Sequence, residues 1–313
     1  MYLIKKILVF SLLWTSILFA QSQPIVQSLE SCREYKVSHE RLACYDQISV
    51  ANGVETIGNN KTKQMPALLA DLEEPRIFTA FGSLDFRDDN FNAILLGLGS
   101  RIKLKTFDIS PKNKAIDFNM IGLIKSQFDV SEIDTRNNRG GALINTDFMI
   151  GGELVKNFDK GNLRLKYYHR STHLGDEFLI DNPEFVDDRL NLSYEAFDLL
   201  YYRNINRWGA YLGGSVIVRS EPSSLESFQA QAGAQYRGEK SNWYTPILGL
   251  DVKSWEASDW HANVSIKAGF EVNGLFDRPL QFLLEYYDGK SPYGQFLDED
   301  LSFIGFSVNH YWQ

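Results

Sequence analysis

Two cysteines are all that this 313-residue chain contains, Cys32 and Cys44. Their spacing does not match a zinc site, and no nearby His completes one. An even pair in an oxidising compartment is expected to close a disulfide. After the first twenty residues no apolar stretch is long enough for a membrane helix. Positive charge is also scarce: 32 Lys and Arg stand against 40 Asp and Glu, a net charge of −8. That balance argues against nucleic acid as a partner. No phosphate-cradling glycine loop, nucleotide fingerprint or redox motif is present. Gly97-Leu98-Gly99 and Gly151-Gly152 sit inside strand-like patterns, where glycine eases curvature.

What is present begins with an export signal. Lys5-Lys6 precedes the apolar run Ile7 to Ala20, the form of a secretory signal peptide over 1–20. Residues 21–50 read as a helical segment: Ser38 is a good N-cap, and Leu42, Tyr45 and Ile48 share a face. It would lie in the periplasm and offer a surface to a partner there. Residues 51–75, with Gly53, Gly58, Asn59 and Asn60, read as a linker.

From about Arg76 to the end the pattern has a period of two. Twelve strands are expected, at 77–87, 92–109, 114–130, 142–157, 162–173, 191–204, 207–220, 225–238, 243–255, 259–273, 279–289 and 300–312. The links alternate between short turns, such as Asp159-Lys160-Gly161 and Ile205-Asn206, and longer segments such as Thr172 to Leu190. Alternating strands, short turns at one end and long loops at the other specify a transmembrane antiparallel β-barrel over 76–313, in the outer membrane of a Gram-negative bacterium. Aromatics make up 13% of the chain. Trp208, Trp243, Trp255, Trp260, Tyr311 and Trp312 fall near strand ends, as an interfacial girdle requires. In the strand containing Leu163, Leu165 and Tyr167, those residues share one face while Asn162, Arg164 and Lys166 share the other. The second set would line a polar lumen. The same division separates Gln229, Gln231 and Gln235 from Phe228, Ala230, Ala232 and Tyr236. The segment Phe282 to Tyr287 is less clean.

The chemistry-bearing segment is Tyr168-His169-Arg170-Ser171-Thr172-His173-Leu174-Gly175-Asp176-Glu177. His169 and Ser171 are two apart and share the parity of Leu163, Leu165 and Tyr167, so both are expected to face lipid near the long-loop end. An imidazole beside a hydroxyl is the pairing that nucleophilic acyl transfer needs. A third group must orient the imidazole. Asn191 and Glu195 on the next strand are candidates, with Asn182 and Glu184 in the loop as rivals. His173, Asp176 and Glu177 suggest a head-group or loop network. The loop also carries Asp181, Glu184, Asp187 and Asp188. Oxygen-rich loops can hold Ca²⁺, but no calcium-loop spacing is present and a solvated acidic loop is the simpler reading. No other cofactor is indicated, and His261 and His310 read as structural.

The His-x-Ser pair resembles that of the outer-membrane phospholipase A and lipid A deacylase families, which place it on the outer wall of a barrel with an Asn or Glu completing the triad. The phospholipase family has about this number of strands. Here Thr172-His173 stands where the phospholipases have Asn-Gly. Arg41-Leu42-Ala43-Cys44-Tyr45-Asp46 also resembles the leader region of certain Gram-negative envelope proteins. The ten residues from Tyr168 to Glu177, with Tyr286-Tyr287-Asp288-Gly289, are similar to recurring features of an uncharacterised family of bacterial envelope barrels, a domain of unknown function. Two expectations result. One is a lipid-ester hydrolase with Ser171 as nucleophile, His169 as base and Glu195 or Asn191 behind it. The other is a non-enzymatic barrel, a narrow channel or an envelope structural protein.

Overall fold

The structure is a computed structural model that describes residues 65–87, 89–108, 115–131, 141–183, 192–273 and 279–311. The expected signal peptide, the helical segment, the Cys32–Cys44 pair and linker residues 51–64 lie outside the described residues.

Twelve antiparallel strands close into one barrel: β1 Ile77–Phe86, β2 Asp89–Asp108, β3 Ala115–Asp129, β4 Ala142–Phe158, β5 Gly161–Leu174, β6 Ser193–Ile205, β7 Trp208–Glu221, β8 Phe228–Arg237, β9 Tyr244–Trp255, β10 Asn263–Val272, β11 Leu280–Lys290 and β12 Asp300–His310. Each strand pairs with its neighbours in sequence, and β1 pairs with β12 from Ile77↔His310 to Phe86↔Leu301. No sheet edge is left unpaired, which is what a bilayer demands of backbone polar groups. Every expected strand is found. The largest shift is at β10, which starts after Asp259 and Trp260 because both take positive φ, 51° and 57°, in a tight turn. One six-residue helix, α1 Asp176–Asp181, follows β5.

The alternation sorts side chains by medium. Leu98, Ile150, Leu212 and Phe306 stand on the outer wall, each more than 60% exposed. Arg101, Asp117, Glu153, Arg164, Lys166, Lys267 and Glu285 are buried on the inner wall. A cylinder that is greasy outside and charged inside fits hydrocarbon on one face only. β11 alternates cleanly after all: Phe282, Leu284 and Tyr286 face out, and Leu283, Glu285 and Tyr287 face in. The sequence is blurred there because the long-loop half of the lumen holds an apolar cluster that includes Tyr287, Tyr293, Phe296, Leu301 and Phe303. Trp208, Trp243 and Trp260 are exposed near strand ends. Trp255 instead turns inward, 6.0 Å from the Tyr194 ring, and Tyr311 lines the mouth of the lumen at the opposite end. Trp312 lies outside the described residues.

The lumen is stopped from both ends. Residues 65–75 do not run as solvated linker. They enter the barrel, where Met65, Leu68, Leu69, Ala70, Asp71 and Glu74 are buried. Gln235 reads their backbone, accepting from Leu69 N at 2.9 Å and donating to Ala67 O at 3.2 Å. Glu74 is gripped by Arg101 at 2.6 Å and Arg164 at 2.8 Å. Lys253 holds Asp71 at 2.6 Å and Glu73 at 2.9 Å, and Arg170 also pairs with Glu73. The wall makes room with glycine. An ideal Cβ on Gly99 would come within 3.0 Å of Arg76 N and 2.8 Å of Gly122 O. From the other end residues 291–297 fold inward. Gly294 N donates to Asp147 Oδ2 at 3.3 Å, and Lys125 Nζ donates to Pro292 O at 3.2 Å.

Burial pushes the Asp71, Glu73 and Glu74 carboxyls up, but the facing cations outweigh it and hold all three below the usual carboxylate range. The cations are Lys253 and Lys166 at Asp71, Lys253 and Arg170 at Glu73, and Arg101 and Arg164 at Glu74. Depressed carboxylates stabilise fully above their ordinary pKa of about 4, and the contribution is lost as pH falls through the lowered values. The inserted segment is therefore expected to stay seated at pH 5 and to loosen only in stronger acid. Glu74→Ala would leave Arg101 and Arg164 short of a counter-charge in a buried site, a loss of about 3–5 kcal/mol. Unfolding in detergent, followed by the gel shift of the heated barrel, is expected to show that loss. An unchanged transition would mean that the segment does not dock as described.

Candidate active site on the outer wall

β5 alternates without interruption, so its register fixes the site. Asn162, Arg164, Lys166, Tyr168, Arg170 and Thr172 are buried in the lumen. Leu163, Leu165, Tyr167, His169, Ser171 and His173 therefore project from the outer wall. The sequence parity placed His169 and Ser171 on that face, and the structure does too.

His169 pairs across the sheet with Glu195. The His169 ring Nδ1 lies 3.2 Å from Glu195 Oε1, which leaves Nε2 facing outward. Glu195 Oε2 is 3.9 Å from Arg219 Nε on β7. Sequence reading missed Arg219 for a specific reason. Simple alternation puts it inside with Ile217, but a bulge shifts the register so that Glu195 meets Arg219 and Ala196 meets Ile217. The extra residue, Val218, turns Arg219 outward. Bulges often re-aim side chains in this way. One continuous row of paired residues crosses the wall: Ser100, Gly122, Ile150, His169, Glu195 and Arg219.

On β5 and β6 the row marks a chemical border, whereas on β2 to β4 the apolar face continues one step past it through Leu98, Ile124 and Phe148. On the short-turn side of it, the outward residues are Met120, Tyr167, Phe197, Leu165 and Leu199. One step toward the long loops, Ser171 pairs with Ser193, and one further step brings Ser126 Oγ within 2.8 Å of Thr146 Oγ1. On β5 and β6, His169 and Ser171 thus sit where the outward residues pass from apolar to polar. Among the described residues no hydrogen bond joins Ser171 to His169.

Beside His169, on the β2–β4 side of the row, the wall is hollowed. A depression of about 600 Å³ is bounded by Leu98 and Ile102 on β2 and by Phe148 and Ile150 on β4. Its floor is Gly122, between Met120 and Ile124 on β3, and His169 lines it on the β5 side.

The remaining candidates fall elsewhere. Asn191 and Glu184 lie outside the described residues. Asn182 caps α1, donating to Phe178 O at 2.9 Å. His173 packs edge-on against Phe148, ring centroids 5.7 Å apart, and forms no ion pair with Asp176 or Glu177, which occupy the exposed first turn of α1. Among the described residues no contact joins these three to one another. Among the described residues no cluster of three or more His, Cys, Asp or Glu could hold a metal ion, and loop residues 184–190 are not described.

The family model for a protein of unknown function, DUF1207, matches residues 27–312. The chain belongs to the DUF1207 family. No curated protein matches it. Among solved structures it is similar to the outer membrane phospholipase A of Escherichia coli, at TM-score 0.52 and 10% identity over 83% of this chain and 96% of that one. It is also similar to the Salmonella typhi outer membrane phospholipase dimer with bound calcium, at TM-score 0.50 and 10% identity over 80% and 93%. At this identity the likeness is one of fold: the DUF1207 barrel shares the architecture of outer-membrane phospholipase barrels.

The Nδ1 contact has a direct spectroscopic consequence. A carboxylate at Nδ1 selects the neutral tautomer that carries its proton there and leaves Nε2 as the base. Ring ¹⁵N shifts of the DUF1207 protein in micelles are expected to report the Nδ1–H tautomer for His169. Glu195→Ala is expected to shift the balance toward Nε2–H. Identical spectra for both proteins would show that Glu195 does not orient the ring.

Proposed function

We propose that this protein is an outer-membrane lipid acyl hydrolase that takes its substrate sideways from the bilayer. The observation that carries the reading is an imidazole held by a carboxylate, two strand positions from a serine, on the outward wall where β5 and β6 pass from apolar to polar. A hydrogen-bonded His and Glu on that surface serve no packing purpose. They cost desolvation that a hydrophobic pair would avoid. The fold shared with outer-membrane phospholipases supports the same reading by analogy.

The chemistry runs in two halves. Ser171 Oγ attacks the ester carbonyl carbon while its proton passes to His169 Nε2, and Glu195 holds Nδ1–H. The adduct expels the lipid alcohol, which takes the proton back from His169. A water then attacks the acyl-serine with His169 again as base, and fatty acid and free serine result. The Ser171–His169 hydrogen bond must form when substrate arrives; catalytic contacts are often long in the unliganded state.

One observation favours the non-enzymatic reading, namely that no hydrogen bond joins Ser171 to His169 among the described residues. Of its two forms, an open channel is poorly supported. The lumen is filled from one end by residues 65–76 and from the other by 291–297.

The test uses refolded full-length protein in phospholipid–detergent micelles. Fatty-acid release is expected, falling at least about 10³-fold in Ser171→Ala and His169→Ala and by about 10²–10⁴-fold in Glu195→Ala. Turnover that survives Ser171→Ala would reject the role. If the wild type is inert in micelles and conducts ions in planar bilayers, the channel reading takes its place.

A further inference from the structure

The hollow beside His169 is a gap among the large apolar side chains of β2, β3 and β4. Outward positions on β2, β3 and β4 carry Leu98, Ile102, Met120, Ile124, Phe148 and Ile150. Gly122 interrupts them, and its paired neighbour on β2 is the small Ser100. The vacancy does not serve close backbone approach. A Cβ built on Gly122 would meet only Met149 O, at 3.7 Å, whereas one on Gly151 would collide with Tyr167 O at 2.3 Å. Gly122 thus leaves space that the barrel does not need for its own packing.

The hollow has direction. It runs from the Ile102 and Met120 level to the Leu98 and Ile124 level, about four residues or ~14 Å along the strand at ~3.4 Å per residue. Its sides are hydrocarbon and Phe148. His169 stands at its β5 side, level with Gly122, and on that side lie Ser171, level with Phe148, then Ser193 and the Glu195–Arg219 pair on β6 and β7. An apolar trough flanked by a hydroxyl, an imidazole and a guanidinium matches one ligand in three parts: a fatty chain, an ester and an anionic head group.

We infer that the Gly122 trough is a binding site for one acyl chain of a phosphate-bearing membrane lipid, placed so that the chain's ester lies beside Ser171 and its head group near Arg219. The inference rests on the hydrolase reading only for the fate of the ester; the trough binds a chain whether or not Ser171 reacts. A second copy of the barrel is the rival occupant. The structure favours lipid because His169 lines the trough on its β5 side and leads to Ser171, Glu195 and Arg219, polar groups from which a packed protein knob would gain nothing. Arg219 is 82% exposed and only 3.9 Å from a single carboxylate oxygen, so it keeps donors for a phosphate.

The experiment reconstitutes the full-length protein in vesicles containing phosphatidylglycerol that carries a photoactivatable diazirine in its acyl chain. Crosslinked residues are then mapped by mass spectrometry. Labelling is expected to concentrate on the β3 and β4 residues around Gly122 and to exceed that on the β11–β12 wall. Gly122→Phe fills the floor, and Ile150→Trp closes the trough from its bank. Each is expected to cut the focused labelling roughly tenfold, the effect of displacing a few methylenes. Either variant that keeps the barrel's gel shift on heating suffices, and the two act independently. Even labelling around the barrel, or labelling unchanged in folded variants, would overturn the inference. So would a variant that dissolves a dimer while leaving lipid labelling intact, since the trough would then belong to a second copy. Ser171→Ala is expected to label like the wild type. Hydrolysis that persists in Ser171→Ala would sink the hydrolase reading and leave the trough untouched.

Discussion

A twelve-stranded cylinder encloses more space than its own inward side chains can fill, and whatever occupies the rest must satisfy them. This barrel meets that constraint with charge. Its wall presents Arg101, Arg164, Arg170 and Lys253 inward, and residues 71–74 deliver three carboxylates to them. Neither partner is tolerable alone at that burial; together they let a charged interior exist within a hydrocarbon slab. Arg101 also pairs with Glu153 at 2.5 Å, so the inserted segment and the wall form one network. At the long-loop end the filler is mostly apolar, with Tyr293 and Phe296 packed on Leu301 and Phe303.

With the interior settled in this way, the outer wall has only to be compatible with lipid, and departures from that rule carry information. The His169–Glu195–Arg219 row is such a departure, aligned by strand pairing and completed by a bulge on β7. It lies at the edge of the apolar band and beside a trough floored by Gly122. Polar groups that would be wasteful in mid-bilayer are affordable at this level, where water and head groups are near.

Much of this was legible in the sequence, for reasons that particular residues make plain. Strands such as Gly161–Leu174 announce themselves because each residue's medium alternates, and parity alone placed His169 and Ser171 on the lipid side. Turn lengths gave the ends of the barrel. The inserted segment was invisible because it has irregular backbone and no period. Its partners are remote: Glu74 and Arg164 are 90 positions apart. Arg219 was hidden by the bulge, which breaks the very parity rule that found His169. The trough was hidden because it is built from three strands, and Gly122 by itself looks like any strand glycine.

The most direct test of the central claim is a depth profile of β5. Nitroxide labels placed singly at positions 163 to 173 of the reconstituted barrel report their accessibility to oxygen, which partitions into hydrocarbon, and to a water-soluble nickel chelate. The account requires oxygen accessibility to oscillate with period two, high at 163, 165 and 167, with nickel accessibility rising at 169 to 173. An oscillation of opposite phase, with 169 and 171 shielded alongside 164 and 166, would put the His–Ser pair in the lumen and contradict it.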